Sequence, residues 1–469
     1  MKQISKNDAI FFFADTPRTP AVIGGISLYD QSTAKNKTVR FKEILNWIDE
    51  RIALWPASKQ RLVRVPFDMG LPYLVDDPEF NIESHVHHLA LPKPGDWRQL
   101  CILASRLYSR PLDMNRPLWE TYIVEGLDSV EGIPKGSFAV IGKMHHIIAD
   151  GKTAMALMMA MHSEDPELAR ELFEKVEEND RDTEIPSDLS LIAKTLPEMM
   201  RQPLNSIRSV TSLMKGEYKA RRAQSTKKMA GTPTVPKTIF NKTLSPYRTF
   251  DGCRFPVADF KAVKSKVEGA TFNDVTICLC AGAMRKYLIK HNELPNESLV
   301  AMCPISVRKE GDSAGGNQIS NMQVAIGTHI GDPIKRLNYI HQRTTEGKEL
   351  AALRGDDSMG NIAGILPPAT ASLFFKSAEG MKWISKVKPL FNTFISNVPG
   401  IPMDIFYCGA KMVGNYGIAP LVDGVGSFHT VTSFKDHMYL SVTGDRDILP
   451  DPASYIDCLK ESFAEMLSA

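Results

Sequence analysis

The chain has 469 residues, of which 43% are hydrophobic and 23% charged, proportions typical of a soluble globular protein with room for two or more domains. Its formal net charge of +2 gives no general attraction to nucleic acid, so a nucleic-acid partner is not expected. No run approaches the roughly 18 apolar residues of a membrane span. The scattered cysteines and the lack of a signal peptide indicate a reduced, cytoplasmic protein, so any membrane contact is expected to be peripheral.

The first notable feature along the chain is a histidine-rich segment, SHVHHLALPKPG, at residues 84–95. His85 and His87 have the i, i+2 spacing that places two side chains on one face of a strand, which is one geometry for metal ligands. No cysteine or third ligand is close in sequence. We therefore expect a surface strand before a Pro-Gly turn, with metal binding as the alternative.

The most specific motif is HHIIADG at residues 145–151, which ends a stretch that predicts a strand over residues 137–146. The next residues, GKTAMALMMAMHS, are apolar almost all round and predict a buried helix. Adjacent side chains of a strand point to opposite faces, so His145 and His146 cannot both face one pocket. This argues against a metal site. The prediction that remains is one reactive imidazole and one packed histidine beside it. The alternative is that both histidines are packed in the core.

The residues around this motif favour acid–base chemistry. A neutral imidazole is the natural base for taking a proton from an alcohol or amine at physiological pH. Asp150 follows His146 across a turn that Gly151 can tighten, and its carboxylate is placed to fix local backbone or to reach a distant arginine. No serine or cysteine nucleophile neighbours the motif. The simplest chemistry is direct transfer, in which a hydroxyl activated by the base attacks an acyl thioester without a covalent enzyme intermediate.

The middle of the chain changes from acidic, over residues 164–184, to basic, over residues 190–230. In the basic part apolar residues recur at helical spacing, with Pro203 at a predicted kink. The other face of this helix carries the cations Arg201, Arg208, Lys215, Arg221 and Arg222. The helix is interpreted either as a contact for an anionic lipid surface or as a connecting helix packed on its own protein.

The second part of the chain mixes helical and strand patterns as the first does. Residues 274–291 predict a buried helix, and SLVAMCPISVR, MQVAIGTHI, FNTFISNVPG and MYLSVTGDR predict strands followed by loops. We therefore predict an α/β protein of two halves of similar size. The predicted division is 1–185 for the half with HHxxxDG, 186–235 for a helical basic linker, and 236–469 for the other half.

The chain resembles the bacterial wax ester synthase/diacylglycerol acyltransferase family in motifs spread over most of its length. These are SKNDAIFFFADTPRTPAVIGG, DPEFNIESHVHHLALPKPG, RPLDMNRPLWETYIVEGL, HHIIADG, GATFNDVTICLCAGAMRKYL, PISVR followed by GNQISNM, and FISNVPG. HHxxxDG alone would also admit condensation enzymes, and the other blocks narrow the choice. His87 and His88 depart from the basic or polar residues expected there. The resemblance implies an α/β (α+β) fold of two chloramphenicol acetyltransferase-like halves, each a mixed sheet with flanking helices, with the active site at their interface.

The resemblance also assigns roles to the residues of the motif. It implies that His146 is the general base, and that His145, Asp150 and Gly151 belong to the same catalytic segment, with Asp150 holding the site in shape. It implies no metal and no permanently bound cofactor, because acyl-coenzyme A is the co-substrate.

Further site residues are implied in the second half. Asn273 and Asp274 match a supporting Asn-Asp pair at a predicted helix start. Ser396 and Asn397 precede a predicted Pro-Gly turn and are candidate hydrogen-bond donors to the thioester oxygen or cofactor, with turn and cap chemistry as the alternative. Arg308 is a candidate partner of Asp150 or contact for a coenzyme A phosphate.

The activity implied is transfer of a long-chain acyl group from acyl-coenzyme A to a fatty alcohol, giving a wax ester, or to diacylglycerol, giving triacylglycerol. Because both products are insoluble in water, the protein is expected at a membrane or lipid-inclusion surface, as a peripheral protein of the cytoplasm. Two alternatives stay open. One is a condensation-type transferase that takes its acyl group from a carrier protein, and the other is a non-catalytic protein of the lipid-inclusion surface.

Overall fold

The computed structural model describes residues 2–52, 55–148, 151–162, 187–227, 231, 233–306, 319–354, 365, 367–377 and 387–469. Within these ranges the strands form two six-stranded sheets and one three-stranded sheet, with helices packed against them. Buried apolar side chains form three separate clusters, one on each large sheet and a small one at the three-stranded sheet. The mixed α/β class predicted from the sequence is confirmed.

The first large sheet is built mainly from the N-terminal part of the chain. Its six strands are, in spatial order, β12 (Phe406–Tyr407), β13 (Ala410–Ile418), β2 (Val22–Asp30), β7 (Phe138–His145), β6 (Trp119–Glu125) and β5 (Val86–Ala90). The elements of this part are β1 (Lys2–Gln3), α1 (Lys6–Ala14), β2 (Val22–Asp30), α2 (Phe41–Ile52), β3 (Gln60–Val63), β4 (Tyr73–Asp76), β5 (Val86–Ala90), α3 (Trp97–Tyr108), β6 (Trp119–Glu125), β7 (Phe138–His145) and α4 (Gly151–His162). Strands β5 and β6 run parallel, whereas the β6–β7, β7–β2 and β2–β13 pairings are antiparallel. Strand β7 therefore lies at the centre of the sheet.

The second large sheet has the strand order β10-β9-β11-β14-β15-β8. The elements of this part are α5 (Asp188–Lys227), β8 (Arg248–Pro256), α6 (Val257–Lys264), α7 (Phe272–Lys290), β9 (Val300–Ser306), β10 (Ile319–Ala325), α8 (Pro333–Arg354), α9 (Pro368–Lys376), β11 (Thr393–Ile401), β12 (Phe406–Tyr407), β13 (Ala410–Ile418), β14 (Ser427–Phe434), β15 (His437–Asp445) and α10 (Pro452–Ser468). Helix α7 is apolar almost all round and is covered by α6, α8, α10 and β11. It is the buried helix that the sequence predicted.

Strand β13 ties the two halves together. Although it lies late in the chain, it pairs antiparallel with β2 and so belongs to the first sheet. Its face packs on the second sheet, where Thr432 Oγ1 donates to Asn415 O (3.0 Å) and Ser441 Oγ donates to Gly417 O (2.6 Å). The predicted range 236–469 thus contains two strands, β12 and β13, that belong to the sheet of the other half, and the division into three ranges stays a prediction.

Polar side chains also join the halves. Arg18 donates two hydrogen bonds to the buried carboxylate of Asp423, at 3.2 and 2.9 Å, the forked geometry that gives the strongest side-chain ion pairs. Trp97 Nε1, at the start of α3, donates to Asp251 of β8 at 2.8 Å. Burial raises the pKa of Asp251, although the hydrogen bond from Trp97 acts in the opposite direction. The halves are therefore held in register by specific polar contacts as well as by apolar packing.

Helix α5 covers the region that the sequence predicted as a helical basic linker. It is continuous over 40 residues, with Pro197 and Pro203 inside it. It contacts α8 and the short turn at Pro66–Asp68. None of the described helices combines the length and the hydropathy of a membrane-spanning segment.

Candidate active site

The central strand β7 delivers the tandem histidines to the end of the first sheet. Its alternation buries Ile141, Lys143 and His145 on one face, and the strand ends at His145, opposite Val22 of β2. The chain leaves the ladder at His146, whose N–H donates to Ala21 O at 3.0 Å. The two imidazoles therefore lie in different surroundings although their residues are adjacent, because adjacent side chains of a strand point to opposite faces.

His145 is the packed member of the pair, with 1% of its surface exposed. Its Nδ1 accepts a hydrogen bond from the N–H of Ile147 (3.2 Å), so the proton of the neutral ring belongs on Nε2. Nε2 lies 3.6 Å from the carboxylate of Asp15, which also accepts from the N–H of Ala21 (2.8 Å). Asp15 therefore lies beside the His145 ring without a hydrogen bond to it, and through Ala21 it fixes the backbone that accepts from the His146 N–H.

His146 is the partly exposed member of the pair. Its ring stacks on Phe11 with a centroid separation of 3.6 Å and an angle of 11° between the planes. Phe11 belongs to α1, which is capped by Ser5, whose hydroxyl accepts from the N–H of Asp8 (3.1 Å). The stacking fixes one face of the imidazole while part of the side chain stays open to solvent. A base must be reachable by its substrate, and this side chain keeps accessible surface.

The remaining residues of the motif are only partly described. Gly151 is the first residue of α4, so the motif joins a strand to a helix as the sequence predicts. Asp150 lies outside the described residues, and so does Arg308. Their predicted relation, an ion pair or a contact to coenzyme A, stays a prediction.

A buried polar cluster near the histidines was missed by sequence reasoning. Lys143, 1% exposed, lies on the same strand face as His145, and its Nζ is 3.3 Å from the carboxylate of Glu120. Tyr122 donates to the same carboxylate at 2.6 Å. Burial lowers the pKa of Lys143, while the proximity of Glu120 acts to raise it. The signal was available in the strand alternation, which places residue 143 on the face of residue 145.

The Asn-Asp pair lies at the start of α7, as predicted. Asp274 is fully buried and closes a capping box with Thr271: its carboxylate accepts from the Thr271 N–H (2.8 Å), and its own N–H donates to Thr271 Oγ1 (3.2 Å). The carboxylate also accepts from Thr344 Oγ1 (2.6 Å) and lies 3.0 Å from His341 Nδ1. Burial alone would raise the pKa of Asp274, but these hydrogen bonds outweigh it and lower the pKa. Asn273, beside it, is partly exposed.

Ser396 and Asn397 lie on the central strand of the second sheet. The sequence predicted that a Pro-Gly turn follows them, and this expectation is wrong, because β11 continues to Ile401. The strand accommodates the proline through a register shift between Val398 and Ile401 in its pairing with β14. At Gly400 a Cβ atom would come within 1.3 Å of the Ser433 carbonyl oxygen, so glycine is needed there for the strands to approach. Both candidate donors are partly exposed.

The histidine-rich segment forms the surface strand β5 that the sequence predicted. His85 Nδ1 bonds the carbonyl of Trp119 (2.8 Å), His87 stacks on Tyr122, and His88 Nε2 lies 3.1 Å from Glu125. Each imidazole thus has a different protein partner. In the part of the chain that the structure describes, no group of three His, Cys, Asp or Glu side chains could hold a metal ion.

One sequence motif is typical of enzymes that use a serine nucleophile, which direct transfer does not need. GDSAG at residues 311–315 has the GxSxG spacing of a serine nucleophile motif, which needs a sharp strand-to-helix turn to expose its hydroxyl. These residues lie outside the described ones.

Comparisons with known proteins agree with this geometry. Residues 4–276 match the model of the wax ester synthase/diacylglycerol acyltransferase catalytic domain, and residues 315–467 match that of the C-terminal domain of the same family. A probable diacylglycerol O-acyltransferase from Mycobacterium tuberculosis is 30% identical over 475 residues, covering 100% of this chain and 99% of the relative.

Solved structures share the fold. The wax ester synthase/diacylglycerol acyltransferase from Marinobacter aquaeolei superposes with a TM-score of 0.68 at 23% identity, covering 99% of this chain and 98% of that one. The first condensation domain of the calcium-dependent antibiotic synthetase superposes with a TM-score of 0.57 at 11% identity, covering 99% and 95%. The predicted architecture of two chloramphenicol acetyltransferase-like halves is confirmed by these superpositions.

Proposed function

The chain belongs to the wax ester synthase/diacylglycerol acyltransferase family and is an O-acyltransferase, and we propose that it transfers a long-chain acyl group from acyl-coenzyme A to the free hydroxyl of diacylglycerol. The observation that carries the proposal is the His146 imidazole, partly exposed at the end of β7, stacked on Phe11 and placed beside a packed second histidine. A fatty alcohol is the second candidate acceptor. Diacylglycerol is favoured by the name of the near full-length relative.

The proposed chemistry is a single displacement. Neutral His146 accepts the proton of the acceptor hydroxyl while that oxygen attacks the thioester carbonyl, forming a C–O bond and a tetrahedral intermediate. The intermediate collapses with cleavage of the C–S bond, and the imidazolium returns the proton to the departing coenzyme A thiolate. No acyl group is attached to the protein in this scheme, and no metal or bound cofactor takes part.

The neighbouring residues are proposed to position the base. Asp15 and His145 hold the chain at the end of β7, and Asp150 with Gly151 shapes the turn into α4. Because His145 is buried and its Nδ1 already accepts from the Ile147 N–H, it is proposed to act on orientation and not as a second base.

Residues of the second half complete the proposed site. Ser396 and Asn397, on a strand at the centre of the second sheet, are proposed donors to the thioester oxygen, whose negative charge grows as the hydroxyl attacks. Asn273 and Asp274 are proposed to support this half of the site through the placement of α7. Arg308 is proposed as a contact for the coenzyme A phosphates.

The test is a product assay with the purified protein. Labelled palmitoyl-coenzyme A is supplied together with equal amounts of diacylglycerol and hexadecanol, and the lipid products are separated. Labelled triacylglycerol in excess over wax ester is the expected outcome. A wax ester excess would move the acceptor to fatty alcohols, and the absence of both esters would contradict the proposal and favour a non-catalytic lipid-surface protein.

Two further arms examine the donor and the mechanism. The condensation-type alternative shares the fold of this chain, and it requires turnover with an acyl-carrier protein and none with acyl-coenzyme A. For the mechanism, Ser313→Ala is expected to keep full activity and no acyl group should remain on denatured protein. Loss of activity in that variant, with labelled acyl-enzyme in the parent, would replace direct transfer by a serine intermediate.

A further inference from the structure

Helix α5 has its apolar face turned outward. The described residues of α5 that are buried are Leu191, Thr195, Gly216 and Ala220, so apart from Leu191 near its start the side turned toward the protein is small or polar. The opposite face carries an apolar stripe, which consists of Leu196, Met199, Met200, Leu204, Ile207, Val210, Met214 and Tyr218 and is between 38% and 77% exposed at each residue. A helix that packs on its own protein normally shows the reverse pattern. The stripe spans roughly 30 Å of the helix.

A row of cations runs along one edge of this stripe. The cation row consists of Lys194, Arg201, Arg208, Lys215 and Arg222, each seven residues after the last and each exposed. Seven residues are close to two helical turns, so the row stays on one side of the helix, about 100° from Met200, Ile207 and Met214. Residues 199–216 contain no acidic residue. Glu217, the next one, pairs with Arg221 at 3.0 Å.

We propose that the apolar stripe and the cation row together dock the protein on an anionic phospholipid surface, with α5 lying parallel to the surface. The apolar side chains would enter the boundary between headgroups and acyl chains, and the cations would contact phosphate groups beside it. The proposal rests on the proposed function and deepens it, because it names the face through which the site reaches a water-insoluble acceptor.

Charge complementarity favours an anionic lipid surface over a second copy of the chain as the partner of the apolar stripe. In an isologous antiparallel pair of α5 helices each cation row would lie next to its own copy, and like charges at that spacing repel. An anionic lipid surface offers the opposite charge along the whole row and an apolar layer under the stripe. The lipid surface therefore satisfies both features at once.

The test is co-sedimentation of the full-length protein with vesicles, which needs no turnover and so separates this inference from the proposed acyl transfer. Vesicles of equal parts phosphatidylcholine and phosphatidylglycerol are compared with pure phosphatidylcholine. The parent protein is expected to bind the anionic vesicles, and to bind them less at 0.5 M salt because screening weakens the cation contacts. Equal binding to both vesicle types, or no binding to either, would overturn the proposal.

Three variants locate the contact. The cation-row variant combines Arg201→Gln, Arg208→Gln, Lys215→Gln and Arg222→Gln. It is expected to bind the anionic vesicles at least 100-fold more weakly, since each cation near the surface raises the binding constant roughly fivefold. A stripe variant with Met200→Ser, Leu204→Ser, Ile207→Ser and Met214→Ser is expected to lose binding to a similar degree. The matched control changes four exposed lysines elsewhere, Lys35, Lys42, Lys135 and Lys261, to Gln and should bind as the parent does.

Thermal unfolding and oligomeric state complete the design. All substituted side chains are exposed, so each variant is expected to unfold within about 2 °C of the parent. If the parent is a dimer in solution and the stripe variant is a monomer, the stripe is an interface between copies and the lipid proposal is wrong. A drop in binding by the lysine control equal to that of the cation-row variant would also contradict it.

Discussion

The sequence predicts site residues at the end of β7 and at the start of α7, and the surroundings of these residues differ. At the end of β7 the His146 ring is partly exposed and is stacked on one face. At the start of α7 the Asp274 carboxylate is fully buried and bonds three residues of its own half. A titratable group surrounded by internal partners is suited to holding a helix, whereas a group with open surface can reach a substrate. Removing each group should therefore affect different properties.

The largest expected effect on stability comes from Asp274→Ala. This change leaves the Thr271 N–H without its acceptor and removes the bond from Thr344, whose hydroxyl keeps only the His341 carbonyl, so it should lower the free energy of unfolding by about 3 kcal/mol. Denaturant-induced unfolding measures the difference. The neighbouring Asn273→Ala is the matched control and should stay within about 0.5 kcal/mol of the parent. Asp274→Ala with parental stability but no activity would show that the two regions do not divide structure and chemistry as described.

A smaller effect concerns a feature that the two halves share, a buried histidine bonded to a tyrosine. His162 Nε2 lies 2.7 Å from Tyr29 Oη, and His429 Nε2 lies 2.7 Å from Tyr455 Oη. Burial lowers the pKa of both histidines to about 4. Since the unfolded chain takes up these protons near pH 6.5 and the folded chain does not, stability is lost as the pH falls from about 6.5 toward 4.

Between pH 7.5 and pH 5.0 each of these histidines should account for a loss of about 2 kcal/mol in the free energy of unfolding. Urea titrations of the parent, His162→Gln and His429→Gln at both pH values measure it. Each variant should show a smaller decline than the parent by about that amount. An identical decline in all three proteins would mean that other groups dominate the acid sensitivity.

The smallest effect concerns the stacked ring beside the base. Phe11→Leu removes a stacking contact worth about 0.5–1.5 kcal/mol, so kcat should fall roughly two- to tenfold while KM for acyl-coenzyme A stays the same. Phe11→Tyr keeps the ring and should restore kcat. A loss of activity that the tyrosine variant does not restore, or one confined to KM, would show that the ring does not act through His146.

The sequence predicted most of what local periodicity controls. The strand expected over 137–146 is β7, the helix expected over 274–291 is α7, and the separation of the two imidazoles follows from strand geometry. The turn expected at Pro399–Gly400 is absent, because pairing with β14 and a close backbone approach keep the chain extended through two residues that usually end a strand. Local propensity gave no information on that long-range contact.

The other features that the sequence did not predict depend on contacts between residues far apart in the chain. The pairing of β13 with β2 depends on the two sheets meeting, and no local pattern in residues 410–418 indicates it. Likewise, the apolar periodicity of α5 predicted a helix but not which face would meet the protein. Lys143 was passed over because a lysine inside a strand is usually solvated, whereas here Glu120 provides a buried partner.

The most direct test of the account is the rate of acyl transfer by His146→Ala relative to the parent, measured with saturating palmitoyl-coenzyme A and diacylglycerol on protein of verified fold. A positioned base contributes roughly 10²–10⁴-fold, so the rate should fall by that factor with thermal unfolding unchanged within about 2 °C. A variant that folds normally and retains more than a tenth of the parental rate would contradict the assignment of His146 as the base.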